Sequence, residues 1–216
     1  MKVRELNSYF FKAVLFDFDG VLIDSLMSMQ LSWRSVKNKF GINNSFDEYS
    51  KYIGLPFNEI LKRLNVDKEI HNIVKEYYFK ESSRHFNQIT LNPNVNELIS
   101  WLHKEKILTG IVTSKDYERT TKLIEHFQIN VNIFVTPELT SLGKPNPEPI
   151  LFATKKLKVE TSKTLFIGDM LSDMTCAENA SCEYLHYCPG YQTKGNFDYG
   201  GLIYDLLDVK EFIQNY

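Results

Sequence analysis

The sequence predicts an α/β fold: an open parallel sheet flanked by helices and interrupted after its first strand by an all-helical insert. Three observations predict it. Five short apolar runs are continuous rather than alternating, as strands covered on both faces require. Stripes at helical spacing lie between most of those runs, and strands alternating with helices argue for a parallel sheet. Residues 23–92, between the first run and the second, carry helical periodicity alone.

In chain order, the first strand is Ala13-Val14-Leu15-Phe16. Leu26, Met29, Trp33, Val36 and Phe40 then recur at helical spacing until Gly41 stops them. Ser45 and Glu48 have the spacing of a capping box for a second helix. Phe57, Ile60, Leu61 and Leu64 mark a third, and Ile70, Ile73, Val74 and Tyr77 a fourth. No strand-like run occurs in this segment, and Asn92-Pro93-Asn94 reads as the hinge that leads out of it. Beyond the hinge come a helix carrying Val95, Leu98 and Leu102, and a strand at 107–112. A helix carrying Thr120, Leu123, Ile124 and Phe127 precedes the strand Ile133-Phe134-Val135. Ile150, Ala153, Thr154 and Leu157 mark the next helix, followed by strands at 164–167 and, more weakly, 184–187. Asp24 is expected to cap the first insert helix, and Asp116 the helix after the second strand. The expected division is an α/β core over 1–22 and 93–216, with a helical domain over 23–92.

Composition bounds the function. A chain of 216 residues, 43% hydrophobic and 24% charged, suits a soluble globular protein with a sizeable core. The net charge is −2 and the basic residues are dispersed, which argues against a nucleic-acid or anionic-membrane partner. The apolar run at 10–18 is cut by Lys12 and Asp17; it is too short to span a bilayer and lacks a signal-cleavage pattern. Cys176, Cys182 and Cys188 form no C-x-x-C pair and read as reduced thiols of a cytoplasmic protein, a monomer or homodimer. The five histidines show neither H-E-x-x-H nor triad spacing.

The chemistry lies at the strand ends. Asp17-Phe18-Asp19-Gly20 comes after the first strand, Thr113-Ser114 after the second, and Gly168-Asp169 after the fourth, with Asp173 four residues on. In open α/β sheets ligands sit at the carboxyl ends of the strands, so these clusters should share one crevice, joined by Lys144 of the Gly143-Lys144-Pro145 loop. Asp17, Asp169 and Asp173 at close range would repel one another unless a cation sat among them. Oxygen ligands suit Mg²⁺. A carboxylate beside a hard cation and a lysine is a good phosphoryl acceptor. Asp19, two residues on along an extended chain, should point to the same side as Asp17 and serve as acid and base. Thr113 and the backbone N–H of Ser114 are expected to hold phosphoryl oxygens.

These segments resemble the four motifs of the haloacid dehalogenase superfamily. The stretch from Asp17 to Ser25 is similar to the first, and Val112-Thr113-Ser114-Lys115 to the second. Gly143-Lys144-Pro145 with Asn146-Pro147-Glu148-Pro149 is similar to the third, and the stretch from Gly168 to Asp173 to the fourth. The helical insert between the first two motifs resembles the cap of the phosphoglycolate phosphatase and β-phosphoglucomutase branch. The resemblance implies a Rossmann-like core with an all-α cap, and a Mg²⁺-dependent phosphatase acting on a small phosphorylated molecule. It implies Asp17 as nucleophile and metal ligand, and Asp19 as general acid/base and metal ligand through its backbone carbonyl. Thr113, Ser114 and Lys144 would bind the phosphoryl group, while Asp169 and Asp173 would serve the metal. A sugar-phosphate mutase using the same aspartyl phosphate is the alternative, and a phospho-aspartate signalling module a more distant one. The loop Gly54-Leu55-Pro56-Phe57 is expected to face the site, and Lys51, Arg63 and Arg84 are candidates for an anionic substrate tail. Ser181 stands where the branch usually has glycine, which bears on loop shape.

Overall fold

Four consecutive buried residues with no polar face must be covered on both sides, and β1 (Ala13–Phe16) is so placed at the centre of the sheet. The computed structural model describes residues 9–188 and 201–216; the parts of the expected core at 1–8 and 189–200 lie outside the described residues. β1 pairs in parallel with β4 (Leu108–Val112) on one side and β6 (Thr164–Gly168) on the other. Outward of β4 lies β5 (Ile133–Val135), and outward of β6 lie β7 (Glu183–Tyr187) and β8 (Leu202–Ile203). Among the described residues the order is β5-β4-β1-β6-β7-β8, with every pairing parallel.

Alternation along β1 sorts its side chains to two faces. Val14 and Phe16 join a cluster with residues of α5 (Val95–Lys104), α6 (Tyr117–Phe127) and α9 (Asp208–Asn215). Leu15 joins the other cluster, with residues of α7 (Glu148–Leu157) and α8 (Leu171–Ala180). Cys176 and Cys182 are free thiols in this second cluster, and Cys188 is also free and buried. No described helix is long and apolar enough to cross a membrane.

The insert folds as α1 (Leu26–Phe40), α2 (Phe46–Ser50), α3 (Phe57–Arg63) and α4 (His71–Arg84) around a third cluster of its own. Trp33 is fully buried there, stacked on Tyr49 with ring centroids 4.7 Å apart, and its Nε1 donates to the Asn44 carbonyl at 3.1 Å. Gly41 ends α1 at φ 67, and both hydrogen bonds of the capping box between Ser45 and Glu48 form.

Two expectations need correction. The insert is not free of strands: β2 (Ile23–Asp24) and β3 (Thr90–Leu91) pair antiparallel where the chain leaves and re-enters the core. A two-residue ladder is too short to show any periodicity. Ser25, not Asp24, occupies the position before α1; Asp24 accepts from Leu26 N at 3.0 Å and so serves the helix start from one residue further out. Asn94 and Ser181 take the left-handed conformation expected of glycine, and Ser181 closes α8 in it.

Trp33→Ala is expected to lower stability by about 3–5 kcal/mol, because it empties the centre of the insert's core and orphans the Asn44 carbonyl. Urea unfolding of the variant against the parent measures it; a loss below about 1 kcal/mol would show that the cluster does not hold the insert together.

Candidate active site

Parallel strands end on the same edge of the sheet, and the first residues after β1, β4 and β6 are Asp17, Thr113 and Asp169. Asp17 N still pairs with the Ile167 carbonyl at 2.8 Å, and Thr113 N with the Val135 carbonyl at 3.0 Å, so the sheet itself fixes both residues. Lys144 reaches in from the loop between β5 and α7. Its Nζ lies 2.7 Å from Asp17 Oδ1 and 2.6 Å from Asp173 Oδ1, with all three side chains buried. Asp173 sits in the first turn of α8, and its Oδ2 also accepts from Met170 N at 3.0 Å and Asp169 N at 3.3 Å, closing the turn that presents Asp169. Two glycines admit this crowding. A Cβ on Gly168 would collide with Asp173, and one on Gly20, at φ 92, would collide with the Asp169 carboxylate.

Charge in this cluster is unbalanced. Oxygens of Asp17, Asp169 and Asp173 all lie within 4.8 Å of one another, and one ammonium serves them. Burial pushes Asp17 up to about 7; Asp173 and Asp19 add to the rise and Lys144 opposes it. Asp169 is held well above the ordinary carboxylate range by burial, then by Asp17 and Asp173. Burial works against the charge on Lys144, but Asp17 and Asp173 outweigh it and hold the ammonium above its usual range. Asp169 Oδ1 is buried with no hydrogen-bond partner. An orphaned carboxylate oxygen among like charges, in an all-oxygen donor set, fits a hard divalent cation such as Mg²⁺.

Asp19 departs from the expected placement. The chain turns after Asp17 rather than continuing extended, with the Phe18 carbonyl accepting from both Leu22 N and Ile23 N at 3.0 Å. The Asp19 carboxylate therefore leaves the cluster. It accepts from Ser25 Oγ at 2.5 Å and lies 3.0 Å from Lys115 Nζ. Three of the four residues expected to serve a metal thus meet by their side chains; the fourth, Asp19, is expected to serve through its backbone carbonyl, and its carboxylate faces the insert.

Sequence reasoning passed over Lys115, which is buried and whose ammonium is pushed down by burial against the pull of Asp19. It also passed over Asn92, whose Nδ2 donates to the carbonyls of Gly20 at 3.1 Å and Val21 at 2.9 Å, tying the hinge to the loop after β1. A lone lysine or asparagine carries no pattern; only adjacency to the second motif and to the hinge marked them. Thr113 Oγ1 accepts from Lys115 N at 3.0 Å, and Ser114 Oγ donates to the Gly54 carbonyl at 2.6 Å, which lays the loop Gly54-Leu55-Pro56-Phe57 over the site. Lys51 and Arg63 line a different cleft, against Pro145 and Met170, and the exposed Arg84 pairs with the buried Glu81. None of the three lines the chamber next to Asp19.

Residues 14–186 match the family model described as haloacid dehalogenase-like hydrolase. The chain is 27% identical to pyrophosphatase PpaX of Oceanobacillus iheyensis, over 80% of this chain and 81% of that protein. It is 26% identical to a phosphoglycolate phosphatase of Nitrosococcus oceani, over 82% and 84% respectively. The crystal structure of a hydrolase from Pseudomonas syringae superposes with a TM-score of 0.85 at 25% identity, covering 94% of this chain and 98% of that one.

The raised carboxyl groups set a sign for stability against pH. An acid whose pKa in the fold exceeds its unfolded value binds its proton more tightly when folded, so the stability it contributes is lost as pH rises. For Asp17 the window runs from its ordinary value of 3.8 to about 7. Metal-free protein is expected to melt at progressively lower temperature between about pH 4 and about pH 7, by about 2–4 °C for each kcal/mol of linkage. Mg²⁺ should restore more of the melting temperature at the upper end than at the lower. Thermal scans with EDTA and with Mg²⁺ test this; a metal gain independent of pH would show that these carboxylates do not carry it.

Proposed function

The chain belongs to the haloacid dehalogenase-like hydrolase family, and from that premise we propose that it is a Mg²⁺-dependent phosphatase hydrolysing a small-molecule phosphomonoester through a phosphoryl group carried on Asp17. The observation that carries this reading is a buried carboxylate at the end of the central strand, gripped by Lys144 and crowded by Asp169 and Asp173. Relatives named for hydrolysing pyrophosphate and phosphoglycolate support phosphate as the group transferred. Residues 23–92 act in this reading as a cap over the core of 1–22 and 93–216.

Asp17, Asp169 and Asp173, with the Asp19 carbonyl, would hold the metal. Bound there, Mg²⁺ supplies positive charge that offsets the repulsion between phosphate and carboxylate. Lys144, protonated, orients Asp17 and faces the phosphoryl oxygens, and Thr113 with Ser114 N–H binds them at the end of β4. The Asp17 carboxylate attacks phosphorus, the P–O bond to the alcohol breaks, and Asp19 gives its proton to the departing oxygen. Asp19 then takes a proton from water as that water attacks the phosphorus. The P–O bond to Asp17 breaks, releasing phosphate and restoring Asp17 as a carboxylate and Asp19 as the protonated acid. Lys115 and Ser25 hold the Asp19 side chain on the leaving-group side of the phosphate.

Rates separate the two aspartates. Phosphate monoesters hydrolyse extremely slowly unaided, so Asp17→Asn is expected to lose ~10⁵-fold or more of kcat with every ester. Asp19→Asn is expected to lose about 10²–10⁴-fold with alkyl esters and markedly less with p-nitrophenyl phosphate, whose leaving group needs little protonation. EDTA should abolish turnover and Mg²⁺ restore it. Steady-state assays check all three; turnover by Asp17→Asn near the parent rate would sink the reading.

A further inference from the structure

The cleft that holds Lys51 and Arg63 is separate from the chamber next to Asp19; of their lining residues the two share only Leu55. It encloses about 330 Å³, room for roughly ten waters at the ~30 Å³ each occupies in the liquid. The insert forms one wall, with Lys51, Ile53 and Leu55. The start of α8 forms the other, with Met170, Leu171 and Ser172.

Its walls carry two cations and no carboxylate. Lys51 has no ion pair among the described residues, and Arg63, half exposed, shares Glu59 with Lys62 at 3.3 Å. Asp169 and Asp173 lie beside this stretch of chain, but neither lines the cleft. The core wall offers donors. Asp169 N and Met170 N are taken by Asp173 Oδ2, and Asp173 N and Met174 N by the Met170 carbonyl. Among the described residues that leaves the N–H groups of Leu171 and Ser172 unpaired at the positive end of α8. Ser172 is 9% exposed, and its Oγ is buried with no hydrogen-bond partner. That Oγ points across to the insert: a Cβ on Gly54, which sits between the lining residues Ile53 and Leu55, would stand 2.9 Å from it. A helix start binds nothing in particular by itself. An orphaned hydroxyl beside it, in a cleft of unbalanced positive charge, calls for a ligand oxygen.

We propose that this cleft is a second anion site, distinct from the phosphoryl site on Asp17, and that it takes a phosphate-sized tetrahedral oxyanion. Lys51 and Arg63 supply charge from the insert. The N–H groups of Leu171 and Ser172 and the Ser172 hydroxyl supply directed hydrogen bonds from the core. The ligand is free inorganic phosphate or the phosphoryl group of a larger molecule, which present the same oxygens. Because its partners come from both walls, the bound anion ties the insert to the core. The site stands apart from the phosphatase reading and does not depend on it.

The test titrates the full chain with inorganic phosphate in EDTA, followed by calorimetry and by the amide shifts of ¹⁵N-labelled protein. Without metal the acid cluster at Asp17 repels a dianion, whereas the cleft needs no metal. One saturable site is expected, with Kd of about 1 mM or tighter, and the amides of Leu171 and Ser172 should shift with the same midpoint. Replacing both cations, Lys51→Gln with Arg63→Gln, should weaken binding about tenfold or more. Ser172→Ala should weaken it about three- to tenfold and melt no lower than the parent, because it removes an unsatisfied buried hydroxyl. If that variant fails to fold, the amide shifts of the parent and the double variant decide. Methylphosphonate, whose C–P bond resists hydrolysis, separates the two sources. Binding of both ligands supports a site open to phosphoryl groups on larger molecules, and binding of phosphate alone supports a site for the free ion. No saturation by about 50 mM phosphate, an affinity unmoved in the double variant, or shifts that miss Leu171 and Ser172 overturns the proposal. None of these outcomes bears on hydrolysis at Asp17.

Discussion

Lys144 is the fixed point of the molecule's chemistry. One buried ammonium joins a carboxylate at the end of the central strand to another in the first turn of α8, across a separation of 127 residues to Asp17. It cannot neutralise three acids, and the surplus leaves Asp169 Oδ1 orphaned. Several local features answer to that arrangement. Gly168 makes room for Asp173, Gly20 makes room for Asp169, and Asp173 closes the turn before α8 with its second oxygen. Removing Lys144 alone would leave an uncompensated cluster of buried carboxylates, the situation in which buried ion pairs are most costly to break.

The sheet determines where such a cluster can form. From β1 the chain builds outward to β4 and β5 on one side, then crosses to β6 and β7 on the other. β1 is therefore where the winding reverses, the point at which open α/β sheets leave a crevice. The insert is attached at that same point. β2 and β3 pair directly beyond the Asp19 turn, and Asn92 holds the carbonyls of Gly20 and Val21. The arrangement couples the position of the insert to the loop that carries Asp19, while Asp17 stays anchored by its backbone bond to β6. Asp17 and Asp19 thus sit two residues apart on supports of different kinds: one in the sheet, the other against the insert.

Much of this was legible in the sequence, for physical reasons. Continuous burial marks β1, β4 and β6, helical periodicity marks the insert, and the Ser45–Glu48 spacing marks a cap that forms as expected. Strand-end position brings Asp17 and Asp169 together, and the first turn of α8 and the loop before α7 add Asp173 and Lys144. What escaped was decided by tertiary contact. The ladder between β2 and β3 is too short for periodicity, and the turn after Asp17 reverses a direction that an extended chain would have kept. The partnership of Lys115 with Asp19 joins two loops, and Ser172 looks like any serine on a helix until its hydroxyl is found without a partner. Lys51, Arg63 and Arg84 drew attention by charge alone, and charge alone did not place them in the chamber.

The mechanism stands on Asp17 forming the bond to phosphorus, and trapping that bond tests it most directly. Asp19→Asn keeps the nucleophile but lacks the base that activates water, so its phosphoryl adduct should persist. Mixed with p-nitrophenyl phosphate and Mg²⁺, quenched in acid and reduced with borohydride, the variant should yield a peptide modified at residue 17 alone. Its formation should match a burst of p-nitrophenol in amount. A burst with no modification of Asp17, or a modification mapped to another side chain, would contradict the mechanism.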